Sequence, residues 1–227
     1  MCGRTVLSTP PDDLREIFGL EEMPELTPRY NVAPSQPIAV VREPRRLELL
    51  RWGLASKPGT HHAGINVRIE TVARAPAYRA SFQSRRCLIV VDGFFEWHRQ
   101  GKTSHPFLLR RPDGKPFALA GIWDRSITAD GEVVDACAVI TRPAEGPVAE
   151  IHDRMPLILV PEQYEAWLDR QQRDAARLLV PGSMDLAAGR VSLFVNNPAN
   201  DDRRCIAPPE EEEGTEQSAL QQTRWSF

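Results

Sequence analysis

Apolar positions along the chain gather into short runs of strand length, at residues 38–41, 47–50, 88–91, 107–109, 117–122, 133–140 and 157–160. Turn-forming stretches such as Pro112-Asp113-Gly114-Lys115 and Ala129-Asp130-Gly131 separate them. Continuous apolar runs bounded by such turns read as strands. Helical signals are fewer. Thr9 is a candidate N-cap with Pro10 at the first helical position; Leu14, Ile17 and Phe18 then share one face, and Gly19 ends the segment. Residues 70–83, broken near Pro76, residues 161–170, with Tyr164, Trp167 and Leu168 at helical spacing, and residues 174–180 read as further short helices. The pattern predicts an α+β fold: one β-rich domain with a curled or barrel-like, mostly antiparallel sheet and a few short helices. No internal repeat is present.

Composition sharpens this. A chain of 227 residues, 41% hydrophobic and 26% charged, can bury a full core, which excludes a wholly disordered chain or a fibre. No run of eighteen apolar residues exists and no apolar leader follows Met1, so a soluble, cytoplasmic protein is expected. The net charge of −3 sits mostly in the last residues. Positions 210–227 carry five Glu and one Arg, a net of −4, leaving +1 on the rest. A domain over residues 2–207 and an acidic, unstructured tail over 208–227 are therefore expected. Of the 28 basic residues only Lys57, Lys102 and Lys115 are lysines. Any nucleic-acid surface must then be a local arginine patch.

The four cysteines, at 2, 87, 137 and 205, form no CxxC pair. Neither a zinc site nor a disulfide framework is expected. Cys87 and Cys137 lie within apolar runs and read as small core residues. His61 and His62 are adjacent, point apart and have no third ligand nearby, so metal is rejected there. Cys2 differs from the other three. Removal of Met1 would leave an α-amine and a thiol on adjacent carbons. Such a group condenses with an aldehyde to an imine, and the thiol then closes a durable thiazolidine ring.

Three other clusters carry candidate chemistry. Asp92-Gly93-Phe94-Phe95-Glu96-Trp97 sets a carboxylate among aromatics at the end of an apolar strand, where low polarity raises its pKa toward acid–base work. Ile151-His152-Asp153-Arg154-Met155-Pro156 makes His152 the best candidate proton shuttle of the five histidines. Asn66-Val67-Arg68 puts an amide and a guanidinium on one face if extended. Trp52 and Pro34 offer an aromatic ring and an apolar wedge for bases, although a tryptophan at a strand end also serves as a core plug.

Taken together and in order, Met1-Cys2-Gly3-Arg4, Tyr30-Asn31-Val32-Ala33-Pro34, Arg51-Trp52-Gly53-Leu54, Asn66-x-Arg68-x-Glu70-Thr71, Arg85-Arg86-Cys87-Leu88, Asp92-Gly93-Phe94-Phe95-Glu96-Trp97, Ala120-Gly121-Ile122-Trp123, His152-Asp153-Arg154-Met155-Pro156 and Val195-Asn196-Asn197 resemble the SRAP family, the SOS response-associated peptidases. The resemblance runs from residue 2 to about 200. It implies a sensor of abasic sites in single-stranded DNA that forms a thiazolidine crosslink between Cys2 and the ring-opened deoxyribose. A monomer without cofactor or metal is expected, associated with the nucleoid when bound to DNA. Carried onto matching positions, Glu96 handles the Cys2 amine proton, His152 protonates the sugar oxygen, and Asn66 holds the reacting end. Arg68 and Arg154 grip phosphates, Trp52 and Pro34 support the kinked strand, and Arg4, Arg85, Arg86 and Trp97 complete the DNA-binding surface.

Departures from the family pattern are Val67 and Ile69 in place of small residues, Ala55-Ser56 in place of Ile-Pro, Thr141-Arg142 in place of paired threonines, and the acidic tail. Two other readings stay open. One is an N-terminal-nucleophile peptidase with Cys2 as thiolate, His152 as base and Glu96 as orienter. The other is a non-catalytic single-strand DNA-binding module.

Overall fold

The computed structural model describes residues 2–54, 64–127, 132–172 and 174–210. The expectations for Ala55-Ser56, His61-His62, the turn at Ala129-Asp130-Gly131 and the tail beyond residue 210 lie outside the described residues.

Five strands close on themselves. β3 (Pro37–Arg42) pairs with β4 (Arg46–Trp52) and with β6 (Arg86–Val91), β6 pairs with β9 (Phe117–Ile127), β9 pairs with β10 (Val133–Pro143), and β10 returns to β4. The contact of β10 with β4 is parallel, as is its contact with β5 (Asn66–Arg68); the other pairings of the ring are antiparallel. Closure buries one face and packed helices cover much of the other, so β6 and most of β3 and β10 read as continuous apolar runs, whereas β4 keeps Leu49 and Arg51 exposed. Along β3, Ile38 and Val40 join one core with Leu50, Ile89, Leu119, Val139 and Trp52. Ala39 and Val41 join the other, with Leu88, Val90, Ala120 and Ile140.

That second core is roofed by helices α1 (Pro11–Phe18), α3 (Arg79–Ser84) and α4 (Pro161–Leu168), through Leu14, Phe18, Phe82, Tyr164 and Trp167. α1 starts one residue later than its sequence suggests. Pro11 opens it, while the Thr9 hydroxyl donates to Asp92 Oδ1 at 2.5 Å instead of capping the helix. Gly19 ends it in the left-handed conformation, with φ of 60°. The 70–83 segment splits around Pro76 into α2 (Ile69–Val72) and α3, and residues 175–178 form a 3₁₀ turn.

A second sheet, in the order β13-β8-β7-β1-β2, lies beside the barrel. It holds β1 (Thr5–Leu7), β2 (Arg29–Val32), β7 (Gly93–Gln100), β8 (Thr103–Arg110) and β13 (Ala187–Arg190). β11 (Arg154–Pro156) continues the edge of β10, and β12 (Ile158–Leu159) pairs with β9. Glu96 therefore sits inside β7, not at the end of the preceding apolar strand. The chain breaks at Asp92, whose carboxylate accepts from the Ser8 and Thr9 amides at 2.6 and 3.0 Å. A β-carbon on Gly93 would lie 2.7 Å from the Leu109 carbonyl oxygen, so only glycine lets β7 start this close to β8.

Two of the expected DNA contacts, Trp52 and Arg86, are buried, and a third, Arg85, is engaged within the fold. The ring of Trp52 is fully buried, and its Nε1 donates to the Ile65 carbonyl at 3.0 Å, so it plugs the core and cannot stack on a base. Arg86 is buried as well. Its guanidinium donates to the carbonyls of Phe82, Gln83 and Trp167 at 2.9, 2.7 and 2.7 Å and to that of Asp169. It thus satisfies the orphan carbonyls at the ends of α3 and α4. Arg85 is ion-paired to Asp124 at 3.2 Å and donates to the Ser81 hydroxyl at 3.0 Å. Replacing Arg86 with Ala strands two buried and two part-buried carbonyls and is expected to cost about 2–3 kcal/mol of stability. Urea unfolding should show a lower midpoint at unchanged slope, with no effect on DNA affinity.

Candidate active site

The reactive end of the chain is placed by sheet pairing. Thr5 lies opposite Phe94 and Val6 opposite Gly93, and the Phe95 amide donates to the Arg4 carbonyl at 3.0 Å. Continuing that antiparallel register brings Gly3 and Cys2 alongside Glu96 and Trp97. Asn66, at the start of β5, donates through Nδ2 to the Cys2 carbonyl at 2.7 Å and so fixes the first residues from the barrel side. Its Oδ1 is buried and without a hydrogen-bond partner among the described residues. A buried acceptor in that state is a vacancy for an N–H or O–H donor.

Cys2 is fully buried, and that burial, followed by the nearby Glu96 carboxylate, pushes its thiol well above the usual range. Burial also pushes Glu96 up to about 7, against the pull of positive charge at the chain's amino end. A carboxyl poised there can take and return a proton at neutral pH. His152 is lowered by burial and then by the same amino-terminal charge, while Asp153 pulls it back up. It follows a 3₁₀ turn at residues 146–148, whose Val148 carbonyl accepts from the His152 amide at 2.8 Å. Glu96 and His152 face each other across an open cleft of about 880 Å³, which Arg4, Trp97, Arg99, Asp153 and Asn196 also line.

The basic residues around the cleft are held in graded ways. Arg4 donates to Asn31 Oδ1 at 3.0 Å and to the Val195 carbonyl at 2.9 Å, and stands 5.8 Å from the Trp97 ring. The Trp97 indole donates to Asn196 Oδ1 at 2.8 Å, leaving its ring at the cleft wall. Arg154 makes a bidentate pair with Glu70 at 2.6 and 3.0 Å and donates to the Thr141 carbonyl at 2.7 Å. That pair keeps the Glu70 carboxyl below its ordinary range. Arg68 is exposed at the end of β5, on the face opposite the buried Val67, as alternation predicts. Pro34 is half-buried, in a turn anchored where the Ser35 amide donates to the Trp52 carbonyl at 2.8 Å.

Glu96, His152, Arg4 and Trp97 thus share one cleft, Asn66 holds Cys2 near Glu96, the Arg154 amide reaches the His152 ring, and Arg68 lies at the exposed end of β5. Trp52, Arg85 and Arg86 do not join them. Sequence reading missed Arg99 and Ser104, which enter the cleft from the β7–β8 hairpin. The signal was available: β7 runs on past Trp97, so the side of the strand bearing polar residues continues into the same wall.

A family model described as "SOS response associated peptidase (SRAP)" matches residues 1–198. The chain belongs to the SRAP family. Abasic site processing protein YoqW of Bacillus subtilis is 36% identical over 221 residues, spanning 91% of this chain and 99% of that protein. Abasic site processing protein YedK of Escherichia coli is 29% identical over 223 residues, spanning 92% and 100%. Among solved structures, a protein from Bacteroides thetaiotaomicron superposes with a TM-score of 0.79 at 22% identity, covering 92% of this chain and 100% of that one. That likeness extends the SRAP fold across both sheets. Within the SRAP match fall Cys2, Asn66, Glu96 and His152, and the match ends just before the turn at residues 203–206 that carries the buried Cys205. No helix among the described residues is long and apolar enough to cross a membrane. The described residues also hold no cluster of three or more His, Cys, Asp or Glu able to bind a metal.

Proposed function

We propose that this SRAP protein recognises abasic sites in single-stranded DNA and captures them covalently through Cys2 once Met1 is removed. The observation that carries the reading is that Glu96, a buried carboxyl at about 7 close enough to act on the Cys2 thiol, lines one open cleft with His152, while Asn66 holds Cys2 from the barrel side. Relatives spanning nearly the whole chain are named abasic site processing proteins, which supports the same substrate.

The chemistry needs these groups in this order. The lesion sugar is mostly a closed hemiacetal, so an acid must protonate its ring oxygen to release the aldehyde; His152 fills that role. The α-amine of Cys2 attacks the C1′ carbonyl carbon, and the carbinolamine loses water to give an imine. Glu96 takes the amine proton and returns it to the departing oxygen. The thiol then adds across the C=N bond, sulfur to carbon and hydrogen to nitrogen, closing the thiazolidine. The Asn66 Oδ1 vacancy suits the amine or a sugar hydroxyl.

Arginine contacts to phosphate position the strand without reading bases. Arg68→Ala is expected to weaken binding of any single strand to a similar degree and to reduce the log–log salt slope by about 0.7; fluorescence anisotropy at several salt concentrations checks it. The test of the whole reading is a denaturing gel of purified protein, shown by mass to lack Met1, with an oligonucleotide carrying one abasic site. A shifted band that survives denaturation and requires the lesion supports the proposal. Equal non-covalent binding of intact and abasic strands with no such band sinks it.

A further inference from the structure

The ring of His152 is held by two contacts at one nitrogen. The Arg154 amide N–H donates to Nδ1 at 2.9 Å, and the Asp153 carboxylate oxygen Oδ1 lies 2.7 Å from the same Nδ1. These contacts make opposite demands. An amide donor needs a lone pair on Nδ1, whereas a carboxylate needs a proton there. One nitrogen cannot satisfy both at once, so each partner belongs to a different protonation state.

We propose that Nδ1 of His152 is a two-position proton gate and that Asp153 is the positioning residue that holds the acid form used to open the deoxyribose ring. The proposal rests on the abasic-site reading for its substrate. In the neutral state Nδ1 accepts from Arg154, which places the single ring proton on Nε2. That tautomer can donate a hydrogen bond but has no proton to give up. In the protonated state Nδ1–H turns to Asp153, and Nε2–H serves the cleft.

The ring-opening step then balances. The Nε2 proton passes to O4′ as the C1′–O4′ bond breaks, with the bonding pair staying on O4′. The C1′ hydroxyl proton goes to the Glu96 carboxylate, leaving the C1′ carbonyl. His152 ends neutral with its proton on Nδ1, still on Asp153, and Glu96 ends protonated; it gives that proton to the carbonyl oxygen as the amine attacks, which frees it to take the amine proton.

The surroundings make such a holder necessary. Burial and the amino-terminal charge both oppose a second proton on His152, and Arg99 on β7 acts in the same sense. Arg4 shares the cleft, and the Arg154 guanidinium is turned away onto Glu70. The carboxylate across the cleft, Glu96, is itself half protonated near neutral pH. Asp153 is thus the carboxylate in contact with the imidazole, and it is largely exposed, at 85% for its side chain. Its pull is screened by solvent but easily rearranged.

The test uses Asp153→Asn, which keeps shape and loses charge, and Asp153→Glu, which restores charge. Nitrogen-15 NMR of the DNA-free protein should show the Nε2–H tautomer of His152 at high pH. Its titration midpoint should fall by roughly half a unit to one unit in Asp153→Asn. Crosslinking rates on the abasic oligonucleotide should fall about threefold to tenfold at pH 7.5 and recover toward low pH, and Asp153→Glu should restore the original profile. An unchanged midpoint, an Nδ1–H tautomer at high pH, or an equal loss of rate at every pH would overturn the gate. If the unaltered protein forms no crosslink, the functional reading fails, while the tautomer and titration still decide whether the gate exists.

Discussion

Replacing Cys2 with Ala is expected to abolish the denaturation-resistant crosslink while leaving most non-covalent binding of single-stranded DNA. The Asn66 bond goes to the Cys2 carbonyl, which alanine keeps. β1 pairing and the Arg4 guanidinium contacts do not involve the thiol. The fold loses one buried sulfur, at a cost of about 1 kcal/mol. What disappears is the ring closure. An alanine amine can still condense with the aldehyde, but the resulting imine hydrolyses, so only borohydride reduction should reveal it on a denaturing gel. Loss of both crosslink and binding would instead assign Cys2 a structural role.

Glu96→Gln is expected to slow crosslink formation by about two orders of magnitude and to stabilise the protein in a pH-dependent way. The rate loss reflects removal of the group that takes and returns the amine proton. The stability effect follows from a folded-state pKa of about 7, raised from 4.5 by burial. Between those values the folded protein holds a proton that the unfolded chain releases, so the wild type loses stability as pH rises through this window. Glutamine carries no such penalty. The variant should gain roughly 1–3 kcal/mol over wild type at pH 8, with the gap closing near pH 4. Thermal melts at the two pH values, together with single-turnover gels, check both halves. A gap of equal size at both pH values would contradict the buried, protonatable carboxyl.

The sequence made the barrel legible for a physical reason. Strands covered on both faces must be apolar, and residues 87–91, Cys-Leu-Ile-Val-Val, are apolar and buried throughout. The peripheral sheet was harder to see. β1 has three residues and β13 only small or polar ones, so neither carries a usable alternation. The proposed catalytic set was readable because each member brought unusual chemistry to a distinctive local motif. The arginines were not. Arg85 and Arg86 look alike beside a strand, and both look like phosphate ligands. Only the packed positions of α3 and α4 reveal that four carbonyls need the Arg86 guanidinium. Asp153 passed as a neighbour of His152 because adjacency in sequence does not disclose a shared nitrogen. Val67 needed the structure too. It points into the core between the polar Asn66 and Arg68, so its bulk fills the interior and leaves the cleft wall to its neighbours.

The reacting residue is the extension of a strand laid between two others, β2 and β7. Tension on a captured DNA strand would enter the protein through Cys2 and run down β1. A pull along that axis loads the flanking hydrogen bonds in shear, all together, and not one after another as in unzipping. Short as it is, β1 makes a mechanical anchor, and the covalent bond at its end can resist force without the domain first coming apart.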